Sequence, residues 1–408
     1  MRILQINSVC KRGSTGKIAY DLYTTLRRQG HNAAICYGRG PVVDEPDIFR
    51  FSGKFEVCFH ALMTRLTGLT GCFSPFATRR LLRFIEAYNP DVVHIHELHA
   101  YFVNIAPVMN YLKKHNIKTV WTFHCEFMYT GKCGNAHDCQ HWKQGCGKCP
   151  DKKGYVASWL FDFTARMFRQ KKQLFDGFDN LIITPVSSWL MGRAKQSPIL
   201  SGKHFRVVHN GIDLDVFYPR STQSLREKHG LTDEKILVHV TPDFSNPRKG
   251  GRYVLDLARR LANENVKVVI IGISKPIEDC PANVIAINRT ENQQQLAEYY
   301  SMGDVLVITS EMENLPTVCL EALCCGTPAV GFDTGGTRET APAPYGHFVP
   351  FGDMQALEQA VRGVLSGELP LADSGACAEY GREHYDKRVM TGNYLTLYLK
   401  IYEDNPWR

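Results

Sequence analysis

No apolar run in this 408-residue chain approaches the roughly 18 residues that a membrane-spanning helix needs. The apolar start, MRILQINSV, is too short for a secretory signal and reads as a first buried strand. A cytoplasmic location is the resulting expectation. Charged residues make up 22% and hydrophobic residues 44%, which excludes a disordered or collagen-like chain. No GxxxxGK[ST] stretch is present, so the phosphate loop of the P-loop NTPases is excluded. The basic residues are dispersed and no nucleic-acid reader motif occurs, which argues against a nucleic-acid partner.

What is abundant is cysteine, with 14 residues. In a cytosolic setting these stay reduced. Nine of them (Cys10, Cys36, Cys58, Cys72, Cys280, Cys319, Cys324, Cys325 and Cys377) are scattered and read as small buried hydrophobes. The other five fall between Cys125 and Cys149. Charge is also uneven. Residues 1–220 carry 30 Lys and Arg against 16 Asp and Glu, a net +14, whereas the remainder carries 18 against 25, a net −7. A basic first half facing an anionic partner and a merely solvated basic surface are both open on this count.

The chain alternates strands and helices. Ile3–Asn7, Ala33–Tyr37, Asp91–His96, Thr119–His124, Leu181–Val186 and Phe205–His209 form one series of apolar strands. Lys235–Val240, Val266–Ile271, Val284–Ile287, Asp304–Thr309 and Pro328–Phe332 form a second. Near-continuous apolar runs of this length suit strands covered on both faces. Two such series imply two doubly wound domains. The expected division is 1–214, 215–385, and a final segment 386–408 whose helix, Gly392–Tyr402, crosses back to the first domain. A ligand in such a protein is expected in the cleft between the domains, at the carboxyl ends of the strands.

The stretch from Asp304 to Val330, DVLVITSEMENLPTVCLEALCCGTPAV, carries the sharpest signal. Pro316 suits the first turn of a helix, and Gly326 suits the position just past its end. The helix N-terminus at Asn314–Val318 then offers free backbone amides, among them those of Asn314, Leu315 and Thr317, while Pro316 shapes the turn. Glu313 stands in the loop before the helix and Glu321 within it. Spacing alone leaves a sugar and ribose site and an ordinary solvated helix equally open.

This stretch resembles the retaining glycosyltransferases of family 4, which have the two-domain GT-B fold. Their hallmark is two glutamates separated by seven residues, here Glu313 and Glu321. The agreement extends through Glu313-Asn314-Leu315-Pro316, Leu320-Glu321-Ala322-Leu323, Cys325-Gly326-Thr327-Pro328, Gly335-Gly336 and Glu339. The resemblance implies that Glu321 binds the ribose of a nucleotide-sugar donor and that Glu313 meets the transferred sugar. Amides of residues 315–317 would meet the diphosphate or the sugar. Lys249 matches the family's diphosphate lysine. The usual arginine six residues earlier is Asp243 here, so Arg248 is the candidate second cation. In the loop after the first strand, Gly16 and then Gly13 match the glycines that let the backbone approach the donor phosphate. His124 matches a histidine near the transferring sugar, although many members follow it with Asp and this chain has Cys125. The role of His96 stays open.

The reaction implied is transfer with retention, in which the protein positions substrates and stabilises the leaving diphosphate without a metal. Cys133, Cys139, Cys146 and Cys149 contain one C-x2-C knuckle and suit a structural zinc, with His137 and His141 as substitute ligands. A disulfide or free thiols are the alternatives. The insert at 125–150, with Leu98–Phe102 before it, resembles a subgroup of the family that builds bacterial capsule, colanic acid and O-antigen. That implies a lipid-linked glycan acceptor, on undecaprenyl diphosphate, and a peripheral position on the inner face of the plasma membrane. In Phe55–Arg83 the apolar face is expected to pack on the core, with Arg65, Arg79, Arg80 and Arg83 toward an anionic membrane surface. A non-catalytic GT-B subunit and a nucleotide-sugar epimerase of the same fold are the rival functions.

Overall fold

The computed structural model describes residues 1–403; the last five residues of the expected final segment lie outside these. The chain forms two compact units, one of Met1–His209 with the chain from Met390, the other of Asn210–Val389.

The first unit is built on a seven-stranded sheet: β1 (Arg2–Asn7), β2 (Asn32–Tyr37), β3 (Ile48–Arg50), β4 (Val92–Ile95), β5 (Thr119–Phe123), β6 (Leu181–Pro185) and β7 (His204–Phe205). Its order is β3-β2-β1-β4-β5-β6-β7 and every pair is parallel. The second unit holds β8 (Lys235–Val240), β9 (Val266–Ile271), β10 (Val284–Ile287), β11 (Val305–Ile308), β12 (Ala329–Phe332) and β13 (Gly346–Val349). Its order is β10-β9-β8-β11-β12-β13, again parallel. In both sheets the chain order reverses beside the first strand, the Rossmann arrangement. Loops at the carboxyl ends diverge there and leave room for a ligand. The fold is therefore two Rossmann-like doubly wound domains, as the alternating pattern implies.

The core of the first unit joins Ile3, Leu22, Ile35, Val92 and Val120 to Met390, Tyr394, Leu397 and Tyr398 of the last helix, Lys387–Tyr402. That helix begins five residues before the expected Gly392. Its two buried tyrosines have their hydroxyls satisfied within the sheet: Tyr394 at Thr122 Oγ1 (2.7 Å) and Tyr398 at His94 Nδ1 (2.6 Å). The second core gathers Leu237, Val254, Val268, Val305, Val330 and Phe332.

Several expectations need correction. β3 and β13 were not anticipated, because each is short and bounded by turn residues. The expected strand Phe205–His209 is reduced to His204–Phe205, although Val208 still donates to Pro185 O at 3.2 Å. Cys10, Cys36, Cys319, Cys324, Cys325 and Cys377 are buried, but Cys58 and Cys280 are exposed and Cys72 is half-buried. The helix Lys54–Thr67 does not pack its apolar face inward. It buries only His60 and Thr64, while Phe55, Phe59 and Leu62 face outward. The following helix, Pro75–Tyr88, does bury a stripe of Ala77, Thr78, Leu81 and Ile85.

Candidate functional site

In the second unit, β11 leads into a loop and then the helix Thr317–Cys324. Pro316 sits at the N-cap, no side chain caps the helix, and Gly326 adopts φ 87° just past its end. The first-turn amides therefore lack a side-chain partner, and the helix dipole adds to their attraction for an anion. Glu313 lies in the preceding loop, where Lys249 Nζ donates to its Oε1 at 2.6 Å. Both groups are partly exposed. Glu321, on the helix, accepts at Oε2 from the Tyr300 hydroxyl at 2.9 Å. Tyr300 is fully buried, so this carboxylate oxygen is held from beneath. No motif or spacing marks Tyr300, which lies within the helix Gln293–Met302.

Two backbone contacts fix the loops. Gly250 has φ 71°, and a Cβ there would lie 2.0 Å from Thr309 O. Thr309 Oγ1 in turn donates to Gly250 O at 3.0 Å, and the Glu311 amide donates to Arg248 O at 2.9 Å. Gly335, with φ 62°, passes so near Glu313 O that a Cβ would sit 1.9 Å from it, and the Gly336 amide donates to that oxygen at 2.7 Å. Arg248 projects into solvent. Asp243, the departure from the family pattern, accepts from the Ser245 amide and hydroxyl, and Asn246 accepts from the Arg248 amide. Both are short turns that shape the loop carrying Lys249.

In the first unit, the loop after β1 places Gly13 at the start of the helix Gly13–Arg28 with φ 62°. Gly16 lies where a Cβ would touch Val9 Cγ2 at 3.0 Å. At the ends of β4 and β5 stands a file of histidines. His96 Nε2 meets Gln5 Oε1 at 3.1 Å, and its Nδ1 meets His124 Nε2 at 3.3 Å. His94 stacks on His96 with ring centres 4.1 Å apart. Burial pushes His94 and His96 well down, and His124 down to about 4, with neighbouring imidazoles adding to each. The file is neutral. With Gln5 Oε1 accepting from His96 Nε2–H, His96 Nδ1 accepts from His124 Nε2–H, and the His124 lone pair lies on Nδ1. His96 is buried inside this file; His124 is its more accessible end.

The cysteine-containing insert has little regular structure, and buried cations on carbonyl oxygens hold it. Lys171 Nζ donates to the carbonyls of Phe127, Thr130 and Gly131, and Lys132 Nζ to those of Lys152, Gly154 and Val156. Buried Glu126 accepts from Arg193 Nε (2.6 Å) and from the Tyr129 hydroxyl (2.7 Å). Cys133, Cys139, Cys146 and Cys149 lie in one region. Burial, then the proximity of Cys149, Cys146 and Cys139, pushes the Cys133 thiol up to about 12. The structure does not draw three of these sulfurs within 4.8 Å of one another.

Residues 15–216 match the Glycosyltransferase Family 4 model and residues 221–384 match Glycosyl transferases group 1. Each of the two Rossmann-like units thus carries a match to a glycosyltransferase model, and the architecture is that of the GT-B fold. It is 24% identical, over 98% of its length, to the whole of WcaC, an Escherichia coli (strain K12) glycosyl transferase named for colanic acid biosynthesis. It is also 24% identical, over 55% of its length, to 61% of the N-acetyl-alpha-D-glucosaminyl L-malate synthase of Bacillus anthracis. Among solved structures, sucrose-phosphate synthase from Thermosynechococcus elongatus superposes with a TM-score of 0.70 at 16% identity, covering 99% of this chain and 100% of that one. Anabaena HepE in complex with UDP superposes with a TM-score of 0.64 at 16% identity, covering 97% and 99%. At these identities the solved structures show the shared fold.

Proposed function

We propose that this glycosyltransferase moves a sugar, with retention, from a nucleotide-diphosphate donor to a lipid-linked glycan in the assembly of a bacterial surface polysaccharide. The observation that carries the reading is the group Lys249, Glu313 and Glu321 around an uncapped helix N-terminus. Lys249 and the first-turn amides suit a diphosphate. Glu321, anchored by Tyr300, accepts from a ribose diol. Glu313 exchanges its bond with Lys249 for sugar hydroxyls once a donor enters. Arg248, exposed on the same loop as Lys249, is the second candidate cation for the phosphates, and Gly13 and Gly16 keep the turn after β1 free of side chains. Positive charge and amide dipoles stabilise the departing diphosphate in place of a metal. His124, with its lone pair on Nδ1, contacts the transferring sugar. The full-length likeness to WcaC supports the polysaccharide setting, and the HepE complex makes UDP the first nucleotide to try.

For the membrane, among the described residues no helix is long and apolar enough to cross one. A peripheral contact is supported by the outward side chains. Phe55 is 95% exposed and Phe76 67%; Phe59, Leu62, Trp159, Leu160 and Phe161 are also exposed. The elements that carry these side chains adjoin. Glu56 accepts from the Ala77 amide at one end of the helix Lys54–Thr67, and the Trp159 amide donates to Arg65 O at the other. Arg65, Arg79 and Arg83 are exposed on the same two helices, and each basic group near an anionic surface contributes about 1 kcal/mol.

Thermal unfolding against UDP-, GDP- and dTDP-sugars, with and without chelator, tests the donor site. A donor at 100 times its Kd adds about 2.7 kcal/mol to native stability. A shift with one nucleotide series, insensitive to chelator and lost in Glu321→Ala, is expected. No shift with any donor favours the non-catalytic subunit. Sedimentation with anionic vesicles, weakened by Phe55→Ser with Phe76→Ser, tests the surface.

A further inference from the structure

Three donors of different chemistry converge beside the histidine file. Glu97 and His99 lie in the loop after β4, and Cys125 lies in the loop after β5, the neighbouring parallel strand. His99 Nε2 is 3.9 Å from Glu97 Oε1 and 3.9 Å from Cys125 Sγ. One ligand atom from each of the three lies within 4.8 Å of the others, a gathering of His, Cys, Asp or Glu found nowhere else among the described residues.

Two of the three groups are braced from behind. Ser8 Oγ donates to Glu97 Oε2 at 3.0 Å and the Glu97 amide donates to Asn7 Oδ1 at 3.3 Å, which leaves Oε1 turned toward His99. The buried His99 ring stacks on Phe127 at 4.8 Å and meets Tyr155 edge-on at 5.9 Å, so it has little freedom to rotate. Outer contacts of this kind orient metal ligands.

We propose that Glu97, His99 and Cys125 form a binding site for a zinc-class divalent cation. A carboxylate, an imidazole and a thiolate are a borderline-soft set that suits zinc(II) over calcium or magnesium. Tetrahedral bonds of about 2.0–2.3 Å place donor atoms roughly 3.3–3.8 Å apart, so closing on an ion shortens the two His99 contacts by about 0.4–0.6 Å and the Glu97-to-Cys125 separation by up to about 1.3 Å. Binding releases the thiol proton to solvent, and three protein ligands leave one position for water. The ion ties together the loops that carry His96 and His124. The site exists because Cys125 stands where many family members have Asp, and it is independent of the donor reading.

The test is cobalt(II) and zinc(II) loading of the full-length, chelator-stripped protein, read by bound metal per chain and by the sulfur-to-cobalt charge-transfer band. Cys125→Ser and His99→Gln are expected to lose one equivalent of metal, whatever the four-cysteine insert retains. Glu97→Gln is expected to weaken binding at least tenfold while keeping the band. Should Cys125→Ser not fold, Cys125→Asp supplies a variant with the residue relatives carry; it is expected to lose the Cys125 share of the band. Metal content and band identical to the parent in the Cys125 and His99 variants would overturn the proposal.

Discussion

Lys249 and Glu313 neutralise one another at 2.6 Å when no donor is bound, so each substitution alters the charge that the other presents. Lys249→Met removes the cation proposed to meet the departing diphosphate. Loss of one preorganised donor to developing charge typically costs about 2.7–4 kcal/mol, so turnover should fall about a hundred- to a thousandfold. Steady-state kinetics on the identified donor check this, and turnover within tenfold of the parent would remove Lys249 from the assigned role. Tyr300 has a subtler part. Tyr300→Phe deletes the hydroxyl bond to Glu321 Oε2 and leaves the packing nearly intact. A bond to a charged group contributes about 1.5–3 kcal/mol, only part of which reaches the ligand. Donor Kd measured by calorimetry should rise several-fold with kcat little changed. An unchanged Kd would mean that Glu321 needs no such anchor.

At the scale of elements, the loop carrying Lys249 is locked to the loop after β11 through Gly250. Its left-handed backbone and the 2.0 Å approach to Thr309 O leave no space for a side chain. Gly250→Ala should cost at least about 1–3 kcal/mol, read as a lower urea midpoint, and should also weaken donor binding by displacing Lys249. Gly13→Ala is the comparison, because Gly13 shares the positive φ but has open space around it. Equal effects in the two variants would show that backbone strain alone, and not the close approach, sets the cost. The insert at 125–150 follows another rule: lacking long helices or strands, it depends on buried Lys171 and Lys132 and half-buried Arg193 to satisfy its backbone and Glu126.

Across the whole molecule, buried neutral histidines set the response to acid. Burial pushes His60 and His239 down to about 4. The Gly71 amide donates to His60 Nε2 at 3.2 Å, so Nδ1–H donates to Ser74 Oγ at 2.8 Å and the ring has no site for a second proton without breaking a bond. The unfolded chain takes up these protons near pH 6.5, whereas the folded chain resists until about pH 4. Stability is therefore full above about pH 6.5 and is lost as pH falls toward 4. These two rings alone give a slope of about 2–3 kcal/mol per pH unit. Urea unfolding between pH 7 and 4.5 checks the sign, and His60→Gln should flatten the slope by about half of that amount. An unaltered slope would move the acid sensitivity to other groups.

The sequence by itself determined the two doubly wound sheets, because buried parallel strands must be apolar throughout and few other patterns allow that. It also marked the helix after β11, since Pro316 and Gly326 act through their own backbone geometry. The glutamate pair was legible for the same local reason: both residues belong to one strand-loop-helix segment. What only the tertiary structure decided are contacts between segments far apart in the chain. Tyr300 beneath Glu321, Lys249 on Glu313, Thr309 against Gly250, and Gln5 at the end of the histidine file leave no periodic or spacing signal. The helix Lys54–Thr67 makes the point for surfaces. Its apolar residues read as core, yet Phe55 and Phe59 face outward, because which stripe is buried depends on what the rest of the fold places against it.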